Sequence, residues 1–352
     1  MCSCKLALSP LRYYVVFESQ SALPTKCGMG TVNPVRQTVH WCMKAFGLDD
    51  KVDEHQVNHW IELREQRRHP VMDPGATNLW LGKLITDGRP AAIAKLGSSE
   101  CWTLAWHLEM HRFYKYTWCP PSFGDLDLAE QSGVFPNTEE TFHRFAKTYL
   151  ERLHSLDGSA VWQNSGEGRI LKQFAPSANW ISLRGLEPYT FDQPWSRALQ
   201  GKRILVIHPF EESIRSQFAR RDLVWRGLPD VLPDCEIEVV RAPYGFSKSD
   251  FRDWFEMLKW LEDQIENAFA REPFHVALIG CGAPGLPLAA KVKELGGIGI
   301  HLGGPLQLLF GIRGRRWDDR PEFQRLFNEY WVRPRPGETP ELAAKVDNGG
   351  YW

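Results

Sequence analysis

The residues with the clearest chemical meaning lie between positions 276 and 304. Val276-Ala277-Leu278-Ile279-Gly280-Cys281-Gly282-Ala283-Pro284-Gly285 reads as an apolar strand, a glycine-rich turn and the opening of a helix. That context is what gives a G-x-G-x-x-G pattern its physical content. Gly280, Gly282 and Gly285 allow a tight turn and close backbone approach to a phosphate. Pro284 suits a first helical turn, where its missing N–H would have had no partner. Free amides and the helix dipole then favour an anion. A second glycine pair, Gly303-Gly304, follows the next apolar run, with His301 before it and Gln307 after it. Two such loops on neighbouring parallel strands make a crevice, where ligands of open α/β sheets bind. A tight turn with no ligand is the plain alternative.

A nicotinamide dinucleotide is the obvious rival. It requires an acidic residue about twenty positions on to hold the ribose hydroxyls. Here His301 stands at that place, and no Asp or Glu occurs between Glu294 and Asp318. The pattern therefore points to a mononucleotide-type ligand.

Three further pieces carry chemistry. Lys95-Leu96-Gly97-Ser98-Ser99-Glu100 closes an apolar run, and a carboxylate at the following helix start can face a divalent metal and a diphosphate. The bland reading has Ser98 or Ser99 capping the helix and Glu100 complementing its dipole. His208-Pro209-Phe210-Glu211-Glu212-Ser213 again follows a strand, and His208 can donate to a phosphate or move a proton. A histidine satisfied by loop backbone is an equal alternative. Arg315, in the basic run before Trp317, can supply charge to a pyrophosphate or lie in a solvated turn. Glu100, His107 and His111 share a helical face, but Glu100 lies ~10 Å from His107 along the axis, so one ion cannot bridge them.

The elements that position these residues alternate. Strands are expected over 91–96, 202–207, 235–241, 274–280 and 299–302. Helices are expected over 53–68, 99–114, 138–153, 212–221, 248–271 and 284–295. Residues 119–137 read as irregular, and 158–181 are ambiguous between helix and strand. The alternation predicts an α/β fold with a mostly parallel, Rossmann-like sheet and helices on both faces. The expected organisation is a leader over 1–50, an N-terminal part over 51–195 and a C-terminal nucleotide-binding half over 196–352, joined by a linker-like stretch near 187–194.

The 352 residues carry a formal net charge of −1, so no global field attracts nucleic acid. No apolar run reaches the length of a membrane span. The eight cysteines show no paired zinc-type spacing, which fits a reducing compartment, and a cytoplasmic location is expected.

In this order the pieces resemble the bacterial GT-D type glycosyltransferases and a related group associated with surface-polysaccharide gene clusters. The resemblance runs from about Pro90 to Trp352. It rests on residues 95–100, 132–136, 208–214 and 278–285, on the long run His301 to Trp317, and on the ending Gly349-Gly350-Tyr351-Trp352. It implies a GT-D-like fold, a nucleotide-diphosphate sugar donor and a carbohydrate or glycoconjugate acceptor. A Mn²⁺ or Mg²⁺ ion held by Glu100 is implied as well. The family's first motif reads approximately Arg-Tyr-Gly-Asp-Gly-Glu, with its Asp and Glu on the metal and nucleotide sugar. Glu100 matches that Glu, Gly97 the first Gly and Lys95 the Arg, whereas Ser98 takes the Asp position. His301 stands where the family tends to carry a second Asp. A serine hydroxyl is a far weaker ligand for a hard cation than a carboxylate.

The expected activity is glycosyl transfer in polysaccharide or glycoconjugate biosynthesis. Glu100 and His208 are the expected catalytic residues. Lys95, Gly97, Ser98, Ser213, Gly280, Gly282, Gly285, His301, Gly303, Gly304, Gln307 and Arg315 are expected around the nucleotide sugar. The alternatives are an NAD(P)-dependent oxidoreductase built on 274–304 and a non-catalytic nucleotide- or sugar-binding relative, which Ser98 favours.

Overall fold

The computed structural model describes residues 69–110, 122–164, 166–245 and 250–352. The expected leader over 1–50 and the helix over 53–68 lie outside them. Seven strands form one sheet: β1 (Ala91–Lys95), β2 (Gly158–Val161), β3 (Asn179–Ser182), β4 (Arg203–His208), β5 (Glu236–Arg241), β6 (Val276–Ile279) and β7 (Ile298–His301). Their order is β3-β2-β1-β7-β6-β4-β5, and every neighbouring pair is parallel. This is the parallel, Rossmann-like α/β class that the alternation predicts. Both faces of the sheet are covered, so the central strands are apolar throughout; Ile204 to Ile207 of β4 are all buried.

The helices are α1 (Pro74–Asp87), α2 (Ser98–His107), α3 (Leu128–Ser132), α4 (Glu139–Leu153), α5 (Glu167–Phe174), α6 (Glu211–Phe218), α7 (Arg221–Val224), α8 (Trp254–Arg271), α9 (Gly285–Glu294), α10 (Pro305–Leu309), α11 (Arg315–Asp318) and α12 (Pro321–Gln324). Right-handed crossovers decide their faces. The chain moves in one direction through β1, β2 and β3 and again from β6 to β7, so α2, α4, α5 and α9 cover one face. It moves the other way from β4 to β5, which puts α6 and α7 on the opposite face. Alternate strand residues follow this division. Ala92, Ala94, Leu205, Ile207, Ala277 and Ile279 pack with Phe142, Phe145, Trp254 and Leu288. Ala91, Ile93, Ile204, Val206, Val276 and Leu278 pack with Leu81, Trp195, Ile214 and Trp225. The chain thus leaves β4 and β6 towards opposite faces, and a crevice opens at their carboxyl ends.

Several local expectations change. The ambiguous stretch resolves into β2, α5 and β3. Helix α1 was not anticipated, although Asp73 caps it by accepting the Ala76 amide at 2.9 Å and Gly88 closes it with φ +67°. Helix α2 ends at His107, and the expected continuation beyond residue 110 lies outside the described residues. Helix α8 starts at Trp254 because the Asp253 carboxylate takes the Glu256 amide at 2.8 Å. The irregular region contains α3 and one 3₁₀ turn at Phe123–Asp125. The expected linker leads into packed structure, since Trp195 is buried and its amide donates to Asn78 Oδ1 at 2.7 Å. Among the described residues no helix is long and apolar enough to cross a membrane.

Candidate functional site

A cavity of about 270 Å³ opens at the carboxyl ends of the strands. Lys95, Gly97, Ser98 and Glu100 reach it from β1, and His208 from β4. Gly280 and Gly282 line it after β6, and His301, Gly303, Gly304 and Gln307 after β7. Segments more than two hundred residues apart thus meet in one place because β1 and β7 are neighbours.

Three expected residues are placed differently. The Ser213 hydroxyl bonds the buried Glu338 carboxylate, which also accepts the amides of Glu212 at 2.7 Å and Ser213 at 3.2 Å. Glu338 therefore satisfies the first turn of α6, and Ser213 anchors that carboxylate rather than lining the cavity. Arg315 is not part of the lining; its amide donates to the Trp352 carbonyl at 3.2 Å. The neighbouring Arg316 is the one whose charge acts on Lys95, and it donates to the Tyr351 hydroxyl at 2.8 Å. Gly285 lies behind the lining, against the His301 ring.

The glycine loop has a second purpose that its spacing alone did not reveal. A methyl group on Gly280 would sit 2.7 Å from His208 Cδ2, and one on Gly285 would collide with the His301 ring. The first and third glycines of the pattern therefore make room for two imidazoles. Gly282 alone takes the left-handed conformation of the turn, at φ +70°. Two backbone bonds, Gly280 to Ile207 and Gly285 to Gly282, both at 2.9 Å, brace the loop, and Tyr149 donates its hydroxyl to the Ala283 carbonyl. Within the described residues the amides of Cys281, Gly282 and Ala283 have no acceptor. They stand at the N-terminus of α9, a ready anion cradle.

Helix α2 offers a second N-terminus. Gly97 is its N-cap and no side chain caps it, so neither Ser98 nor Ser99 plays that part. Ser98 instead donates its hydroxyl to Asn164 Oδ1 at 2.9 Å. The Glu100 carboxylate folds back over Gly97, accepting its own amide and the Ser132 hydroxyl. A side chain at position 97 would collide with it, which explains the glycine there.

The electrostatics of the cavity are set mainly by burial. Burial pushes the Glu100 carboxyl up, partly opposed by its hydrogen bonds and by Lys95. Burial also draws Lys95 down to about 8, with Arg316 adding to the effect and Glu187 and Glu100 opposing it. The Lys95 ammonium donates to the Leu302 carbonyl at 2.8 Å. Both histidines are neutral at pH 7, since burial brings His208 to about 3 and burial with the Lys95 charge brings His301 to about 3. The Phe210 amide donates to His208 Nδ1 at 3.0 Å, which assigns the proton to Nε2. His208 is thus a hydrogen-bond donor towards the cavity, and the acid/base role expected of it does not fit. Two buried polar atoms of the lining residues, His301 Nδ1 and Gln307 Oε1, have no hydrogen-bond partner.

A divalent metal was expected on Glu100. Among the described residues no three His, Cys, Asp or Glu side chains gather closely enough to hold one. Among the described residues Glu100 is the lone carboxyl of the lining, its position is fixed by protein donors, and Ser98 adds only an already engaged hydroxyl. The protein side chains alone therefore offer too few free oxygen ligands to hold a hard cation by themselves. Residues the motifs did not flag also shape the cavity. Trp162, Tyr244 and Tyr351 contribute to its walls, and the Gln307 side chain donates to the Tyr351 carbonyl at 3.1 Å. The aromatic ending of the chain was visible in the sequence, but its return to the cavity was not.

The chain matches no family model, no curated protein and no solved structure.

Proposed function

We propose that the cavity binds a nucleotide-diphosphate sugar and that the protein transfers the glycosyl unit to a carbohydrate hydroxyl without a metal step. The observation that carries this reading is the meeting of Lys95, Glu100, two neutral imidazoles and an unpaired amide cradle in one cavity. In the reaction, the bond between the anomeric carbon and the diphosphate oxygen breaks, and the electron pair leaves with the nucleoside diphosphate. The acceptor oxygen bonds the anomeric carbon, and its proton passes to Glu100 in the carboxylate form. Burial raises the affinity of Glu100 for a proton, the direction that makes a carboxylate a stronger base. Negative charge grows on the leaving oxygen, where Lys95, the Cys281–Ala283 amides and the His208 Nε2–H act as preorganised donors. A cytoplasmic role in polysaccharide or glycoconjugate assembly belongs to the same proposal and rests on the GT-D resemblance.

The oxidoreductase reading is weaker. The end of β7 presents the neutral His301 where a ribose-binding carboxylate belongs. Incubation with a panel of UDP-, GDP- and ADP-sugars, with release of the nucleoside diphosphate as readout, tests the proposal. Release from at least one donor, abolished by Glu100→Gln, is expected. Binding of a donor with no release in the presence of any acceptor oligosaccharide would leave the non-catalytic relative as the function.

A further inference from the structure

Trp162 is one of the few large apolar side chains left exposed among the described residues, at 43% exposure, and it stands at the edge of the cavity. Exposed indoles are common, but this one is held in place with unusual care. The Glu167 carboxylate, fully buried at the start of α5, accepts the Trp162 amide at 3.1 Å and the Asn164 amide at 2.9 Å. Asn164 is tied in turn to Ser98 across the cavity floor. Gln163 between them takes φ +67°, a conformation that non-glycine residues adopt at a cost. A buried carboxyl, a side-chain bridge and a residue at positive φ together hold the backbone that presents this solvent-facing ring. The Lys95 ammonium lies 5.3 Å from the ring centroid, within cation–π range.

We infer that Trp162 is the stacking plate for the nucleobase of a nucleoside diphosphate, an assignment that rests on the function proposed above. The same Lys95 lies under the indole and beside Gly303, next to the phosphate cradle. A ring on Trp162 and a phosphate beside Gly303 would thus have Lys95 between them, with the pentose bridging the two. The part of the lining formed by His208 and Tyr244 is left for the glycosyl unit. Stacking on an aromatic face is tolerant of base identity, so the plate supplies affinity, and discrimination among bases has to come from other contacts.

The test is isothermal titration of the full chain and its Trp162→Ala and Trp162→Phe variants with UDP, ADP, UDP-glucose and inorganic pyrophosphate. Trp162→Ala should weaken the nucleoside diphosphates by about tenfold or more, change pyrophosphate binding less than twofold, and leave the near-UV spectrum and melting temperature close to those of the parent. Trp162→Phe should keep most of the affinity. Undiminished UDP and ADP binding by Trp162→Ala overturns the inference and leaves the proposed function standing. Equal weakening of pyrophosphate overturns it too, because Trp162 would then be shaping the cradle. A loss confined to UDP-glucose would put the glycosyl ring on the indole and also overturn it. Failure of the parent protein to bind any of the four ligands would sink the proposed function and this inference together.

Discussion

The two walls of the cavity are built on different principles. The wall from β6 and β7 is made of backbone: a glycine turn, unpaired amides and a helix N-terminus, with two histidines fitted into the space that glycines leave. The wall from β1 and β2 is made of side chains, namely Lys95, Glu100 and Trp162, with Lys95 held by the Leu302 carbonyl, Glu100 by Ser132 and the Trp162 backbone by nearby Glu167. The first wall provides a shape for an anion; the second provides charge, a proton acceptor and a ring surface. Binding and stabilisation of the leaving group should therefore depend on both walls, and proton transfer on the second.

That division can be broken experimentally. Glu100→Gln is expected to give the largest effect, a fall in turnover of about 10²–10⁴-fold, with donor affinity changed less than threefold in steady-state and binding measurements. A comparable loss of affinity would mean that Glu100 belongs to the binding apparatus. Next, Gly285→Ala should destabilise the fold by about 1–3 kcal/mol, the cost of overpacking, read as a shift in the denaturation midpoint. Combining it with His301→Ala should restore most of that loss, because the glycine exists to admit the imidazole. If the double variant is no more stable than Gly285→Ala, the glycine serves the turn instead.

Lys95 gives a pH signature of intermediate size. Its ammonium is present below about pH 8 and lost above it, so pyrophosphate affinity of the free protein should be full at pH 7 and decline as pH rises through 8. A bound anion favours the charged form, which moves the midpoint upward in the complex. Lys95→Arg should flatten the profile between pH 7 and 9, since guanidinium stays charged. A profile unchanged by that substitution would remove Lys95 from the anion site. Ser98→Ala should have the smallest effect, about 0.5–1.5 kcal/mol of stability for one hydrogen bond to Asn164, measured by denaturant titration.

The backbone-built wall was the more legible of the two. Strand, glycine turn and helix are contiguous from Val276 to Glu294, so local pattern alone places them. The second purpose of Gly280 and Gly285 was not legible, however. Sequence cannot show that His208 and His301 arrive from neighbouring strands to occupy the space beside them. Lys95 and Glu100 were found through the motif they form, while Trp162 was not, because β2 lay in a stretch with no clear period. Ser213 drew attention by lying close to His208, yet its partner Glu338 is 125 residues away. Helix α1 is the converse case: Asp73, Pro74 and Gly88 are ordinary start and stop signals that were present and passed over.

The central claim is that this cavity takes a nucleotide-diphosphate sugar. Isothermal titration with a UDP-sugar panel, with and without Mn²⁺, set against NADH, tests it most directly. The account predicts saturable binding of at least one nucleotide sugar, little change on adding Mn²⁺, and no binding of NADH. Tight NADH binding with no nucleotide-sugar binding would contradict it.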